Sequence, residues 1–232
     1  MDRTRRRVVV GLVSAAALVA VLTIGVVTEA GWVHALDSAV ADVISGWTTS
    51  WGWLVEACRV LGNVTEPFWS ALVVLGVAAA LASARFRAAA AFLVLSALFG
   101  VVAVSITKLA VARQRPPSAA QFDVHMDASF PSGHAAAGIY LYLATGLVML
   151  RLGRANAWPW AIWIGRVLVV LGPLIGVSRL VLGVHWPSDV LAGWAFGTMA
   201  LLGAALLLWE PLASGWVRPA SVPEIAPAVD RS

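Results

Sequence analysis

Apolar residues in this chain gather in long unbroken runs, not in the alternation of a half-buried strand or the single stripe of a surface helix. At about 1.5 Å of rise per residue, a helix needs roughly 20 apolar residues to cross about 30 Å of hydrocarbon. Six runs approach or meet that length: 8–28, 67–81, 88–112, 134–150, 160–177 and 188–209, the second being short. The pattern predicts an all-α integral membrane bundle of six transmembrane helices. Between the first two runs Val40, Val43, Ile44 and Trp47 recur at helical spacing, so the stretch 31–66 reads as one or two short helices lying in the outer interface. The first run exceeds the core of a signal peptide, about 7–15 residues, and Thr28, Glu29 and Ala30 make a poor cleavage site; it reads as an uncleaved anchor. Residues 1–210 then form one membrane domain, and the Pro-, Ala- and Ser-rich stretch 211–232 a disordered cytoplasmic tail.

Composition points the same way. The chain is 60% apolar and 12% charged, where a soluble domain carries about 25% charged residues. That excludes an ordinary soluble enzyme. A net charge of +4 and a pI near 10.2 would suggest nucleic acid in a soluble protein, but here the arginines sit at the ends of apolar runs, where membrane topology places them. With the N-terminus cytoplasmic, ten basic residues fall in cytoplasmic segments (Arg3, Arg5, Arg6, Arg7, Arg85, Arg87, Arg151, Arg154, Arg218, Arg231) and five outside. This satisfies the positive-inside rule and puts both termini in the cytoplasm. Tryptophans near both ends of the runs, Trp69 and Trp186 outside and Trp158 and Trp160 inside, fit interfacial belts. The single cysteine, Cys58, rules out an intrachain disulfide and reads as a small packing residue. The small-residue pairs Gly172/Gly176 and Gly193/Gly197 suit close helix packing within the bundle.

Against this background the polar residues near the runs stand out, and they form three clusters on one predicted side of the membrane. The third holds Ser178, Arg179, His185 and Asp189. Pro187 suits the first turn of a helix, which puts Asp189 where its carboxylate can reach back to His185, fix the tautomer and leave the other ring nitrogen as a nucleophile. An acid complementing the helix dipole is the plainer reading of Asp189. The second cluster is Pro131, Ser132, Gly133, His134. Ser132 is placed to cap the helix, Gly133 lets an oxyanion approach the backbone, and the free N–H groups there favour an anion. His134 could give a proton to a leaving oxygen, or rest at the lipid interface. The first cluster is Lys108, Arg115 and Pro116. Lys108 is the only lysine. Lys108 and Arg115 share a face if the third run stays helical. A cation there costs up to about 3 kcal/mol unless paired or snorkelling; a bound phosphate would pair Lys108, Arg115 and Arg179 together. Asp123, His125 and Asp127 read as a solvated loop, with the rim of a site as the alternative.

K-x6-RP, PSGH and SR-x5-H-x3-D, in that order, resemble the three-part signature of the type 2 phosphatidic acid phosphatase (PAP2) superfamily, which includes bacterial lipid phosphatases and vanadium haloperoxidases. The resemblance covers roughly 88–209. It implies that His185 takes the phosphoryl group, Asp189 orients it, and His134 protonates the leaving group. Lys108, Arg115, Ser132, Gly133 and Arg179 would form the phosphate cradle. It implies no metal or other cofactor, a lipid phosphate as partner, and no nucleic acid. The expected function is a lipid-phosphate phosphatase acting through phosphohistidine at the outer face of a bacterial membrane. Polyprenyl diphosphate such as undecaprenyl diphosphate is the first choice of substrate, with phosphatidic acid or phosphatidylglycerol phosphate as alternatives. A vanadate-dependent peroxidase is disfavoured by the membrane runs. A non-catalytic phospholipid-binding or transport protein would keep the cradle and could dispense with His185.

Overall fold

The computed structural model describes residues 2–117 and 127–214, without the side chains at 47–49 and 214. Asp123, His125 and the tail from 215 onward lie outside the described residues. Among these residues every regular element is helical: α1 (Arg3–Val27), α2 (Gly31–Ser50), α3 (Gly52–Val64), α4 (Pro67–Ser83), α5 (Arg87–Val111), α6 (Gly133–Ala137), α7 (Ala144–Ala155), α8 (Pro159–Val181), α9 (Pro187–Leu207) and α10 (Trp209–Ser214). A π-helical turn, Gly138–Leu143, joins α6 to α7 in one rod. The short helix α10 occupies the start of the stretch expected to be tail.

Five pieces are long and apolar enough to cross a bilayer: α1, α5, the rod Gly133–Ala155, α8 and α9. The expected second crossing is different in kind. Helix α4 has 17 residues and qualifies only together with α3, from which it is bent by 54°. Pro67 forces the break, because it removes an N–H and disfavours the helical conformation of the residue before it. Glu66 then caps α4, its Oε2 accepting from the backbone N–H of Phe68 (2.9 Å) and Trp69 (3.3 Å). Between the first two crossings, where one or two short helices were expected, lie α2, of 20 residues, and α3, of 13.

The crossings pack through glycine. A Cβ on Gly138 would meet the Gly172 carbonyl oxygen at 2.2 Å, one on Gly165 the Gly146 oxygen at 2.8 Å, and one on Gly193 the Ser132 oxygen at 2.5 Å. Gly176 and Gly197 likewise seat Trp194 and Ile139. In hydrocarbon, apolar burial gives little drive for helix association, so close van der Waals contact carries the packing. Leu93, Leu141, Val148 and Ile175 are sealed in the centre, while Val13, Ile24 and Val73 lie more than half exposed on the outer surface, as lipid-facing residues do.

The two ends differ. At one, Trp158 meets Phe86 edge-on at 6.1 Å and stacks on Trp160 at 6.0 Å, amid Arg85, Arg87, Arg151 and Arg154. At the other, the C-terminal ends of α5 and α8, the starts of α6 and α9 and the break between α3 and α4 converge.

Candidate active site

At that second end a cavity of about 280 Å³ opens, and Lys108, Arg115, Gly133, His134, Arg179 and His185 all line it. Lys108 and His185, 77 positions apart, thus share one space. Ser132 does not line it. Fully buried, it holds the start of α6: its Oγ accepts from Ala135 N–H at 3.3 Å, and its own N–H donates to the Asp189 carbonyl at 3.0 Å. Through that last bond the α6 and α9 starts fix one another.

His185 sits in the turn before α9 and is 5% exposed. Arg115 Nη1 lies 3.1 Å from its Nε2. A guanidinium nitrogen has only hydrogens to offer, so Nε2 accepts and the ring proton sits on Nδ1. Nδ1 faces Asp189 Oδ2 at 3.5 Å. Burial pushes the imidazole down to about 4, with Arg115 and Lys108 acting in the same direction and Asp189 against them. The result is a neutral ring whose Nε2 lone pair is directed at the cations. Asp189, fully buried, combines both readings of its position. Its Oδ2 accepts from Trp186 N–H at 2.9 Å, completing a helix cap, and also from Ser129 Oγ.

The cations are held from several directions. Helix α5 stops at Val111, because Ala112 takes a left-handed φ of 46°. Arg115 therefore does not share a helix face with Lys108; it reaches in from an extended segment that Pro116 enforces. The two meet through Asp127, whose carboxylate accepts from Lys108 Nζ and Arg115 Nη2, each at 2.6 Å. Asp127, its side chain about half exposed, thus sits at the rim of the site, the alternative reading of its loop. Burial alone would raise its carboxyl, but hydrogen bonds and charge from Lys108 and Arg115 outweigh this and hold it well below the usual range. Arg179 is 5% exposed and lies against α3: a Cβ at Gly62 would stand 1.6 Å from its Nη2. The missing side chain at Gly62 is the seat of that guanidinium.

Sequence reasoning missed a further chain of charges. Arg113 Nη1 donates to Asp189 Oδ1 and to Ser188 Oγ, both at 2.7 Å, and its Nη2 donates to Asp37 Oδ2 at 2.7 Å. Asp37, 2% exposed on α2, also accepts from the Ser188 N–H at 2.8 Å. The Arg113 guanidinium lies 5.5 Å from the centre of the Trp186 ring. One signal was available: a carboxylate in an otherwise apolar helix needs a partner. Among the described residues no group of three or more His, Cys, Asp or Glu is placed to hold a metal. The positive charge of the cavity comes from Lys108, Arg115 and Arg179. Such a site can bind a tetrahedral anion, attack it from Nε2, and protonate what leaves.

Comparison with known proteins agrees with this geometry. A family model described as the PAP2 superfamily matches residues 69–212. An undecaprenyl-diphosphatase of Sulfolobus acidocaldarius is 34% identical over 119 residues, 49% of this chain and 52% of the relative. A decaprenylphosphoryl-5-phosphoribose phosphatase of Mycobacterium tuberculosis is 41% identical over 106 residues, 44% of this chain and 50% of the relative. The chain spans about half the length of the curated relatives it matches. Among solved structures, a transmembrane PAP2-type phosphatidylglycerolphosphate phosphatase of Bacillus subtilis shares the fold, with a TM-score of 0.67 and 20% identity over 83% of this chain and 93% of that one.

Proposed function

This chain belongs to the PAP2 superfamily, and from that premise we propose that it is a membrane lipid-phosphate phosphatase working through a phosphohistidine intermediate. The observation that carries the proposal is the neutral, buried His185, which turns Nε2 toward Arg115 in a cavity shared with Lys108, His134 and Arg179.

In the first step the cations hold the outer phosphate while Nε2 attacks phosphorus. A P–N bond forms, the P–O bond to the leaving group breaks, and that electron pair goes to the leaving oxygen, which takes a proton from His134. Asp189 steadies the positive charge that grows on the ring. In the second step water attacks the phosphohistidine, His134 takes its proton, and orthophosphate leaves with Nε2 restored. Catalysis then rests on charge placement around the transferring group.

A polyprenyl diphosphate is the first choice of substrate, since two relatives carry names of prenyl-lipid phosphatases; phosphatidic acid and phosphatidylglycerol phosphate are the alternatives. The arginine-rich end is assigned to the cytoplasm. In this reading the cavity opens on the extracytoplasmic side, where a lipid keeps its tail in the bilayer while its head enters.

The test is phosphate release by purified protein from a panel of these lipids, beside His185→Ala. The variant should lose activity by at least about a thousandfold, and vanadate should inhibit the parent, since its trigonal bipyramid resembles the transferring phosphoryl group. Full activity of His185→Ala, or indifference to excess vanadate, would refute the mechanism. Retained cellular function without hydrolysis would favour a binding or transport role.

A further inference from the structure

The cavity does not end at the cradle. Tyr140, on the π-helical turn six positions beyond His134, also lines it, and so does Ser105, three positions before Lys108 on α5. Three positions on a helix share a face, so Ser105 lies one turn deeper toward the hydrocarbon than Lys108.

Tyr140 is 3% exposed, and a buried phenol normally finds a hydrogen-bond partner. Its neighbour does: Tyr142 Oη lies 2.7 Å from Ser70 Oγ. Tyr140 makes no hydrogen bond among the described residues, although it borders the cavity. Its place is also built for it. A Cβ at Gly100 would stand 2.2 Å from Tyr140 Cδ1 and 2.5 Å from Cγ, so α5 is notched to receive the ring. The π turn that carries Tyr140 is a costly irregularity, of a kind that re-aims side chains and tends to occur at functional sites.

We infer that Tyr140 and Ser105, which line the same cavity, form a leaving-group subsite that takes the inner phosphate of a lipid diphosphate. The inference rests on the phosphatase reading above and specifies its substrate class. With the outer phosphate among Lys108, Arg115 and Arg179, the leaving group extends deeper, past His134. In a diphosphate, the next atoms are the bridging oxygen and then the non-bridging oxygens of the inner phosphate. In a monoester, they are an ester oxygen and a methylene, which give the buried Tyr140 hydroxyl and the exposed Ser105 hydroxyl little to bond. Uncharged donors also suit the step: they stabilise the charge that collects on the inner phosphate as the P–O bond breaks, and hold the departing lipid monophosphate less tightly than an arginine would.

The experiment compares one prenyl chain in two forms, diphosphate and monophosphate, using the full-length protein in detergent. The kcat/KM ratio of diphosphate to monophosphate should fall about tenfold in Tyr140→Phe, the loss expected for a hydrogen bond to a charged group. Ser105→Ala should move the same ratio in the same direction, and it carries the test if Tyr140→Phe fails to fold. An unchanged ratio in both variants overturns the subsite. So does a loss of vanadate affinity as large as the loss on diphosphate, because that would place the effect in the cradle. A parent enzyme that cleaves only the monophosphate refutes the subsite and leaves the phosphatase reading standing. A parent that cleaves neither lipid, nor phosphatidic acid or phosphatidylglycerol phosphate, refutes the phosphatase reading itself.

Discussion

At His185 the surroundings decide which ring nitrogen reacts and over what range of pH. The folded value near 4 lies below the ordinary imidazole value of about 6.5. Between the two the unfolded chain binds a proton and the folded one does not. Stability from this group is therefore present above about 6.5 and lost as the pH falls through 4. In the proposed reaction the nucleophile stays neutral over the same interval. The acid limb of kcat/KM should thus be centred well below about 6.5, and a pH–rate profile centred at or above that value would contradict the burial argument. His134, His185, Asp189, Lys108, Arg115 and Arg179 were legible because their spacing is local and their residue types are unusual in apolar runs. Arg113, Asp37 and Ser129 were not, and Asp127 was legible only as the second reading of its loop. Arg113 reaches partners 76 positions away in both directions, and no periodicity in a single chain records such a pairing.

Helices α3 and α4 teach a related lesson at the scale of elements. Pro67 and the short run after it were visible, but not that the preceding helix would meet α4 at a bend of 54° and seat a guanidinium of the site. Helix α3 acts through an absence, the missing side chain at Gly62. Gly62→Ala should displace the Arg179 guanidinium and raise KM by about tenfold or more, the cost of disturbing hydrogen bonds to a charged group. Gly52→Ala, at the start of the same helix with nothing within 4 Å of the added methyl, should leave KM unchanged. Phosphate-release kinetics on both variants check the pair, and equal KM values would show that Arg179 does not depend on α3. The π turn was hidden for another reason. Apolar runs report that a segment is buried, and GIYLYL reads equally well as a continuous α-helix.

At the scale of the whole molecule, the all-helical membrane architecture was readable because hydrocarbon thickness sets run length and charge avoids the interior. The sidedness proposed for it has a direct test. A cysteine placed within 118–121, in a Cys58→Ala background, should react with an impermeant thiol reagent in intact cells; reaction only after permeabilisation would invert the topology. The link from Asp37 through Arg113 to Asp189 has a consequence for where the working unit begins. The family match starts at residue 69, yet Asp37, Gly62 and Glu66 come before it and anchor, seat or border the groups that follow. A fragment cut at the homology boundary would strand Arg113 beside a buried carboxylate with half its counter-charge gone. The stretch that the family shares and the set of residues that holds the cavity together are therefore not coextensive.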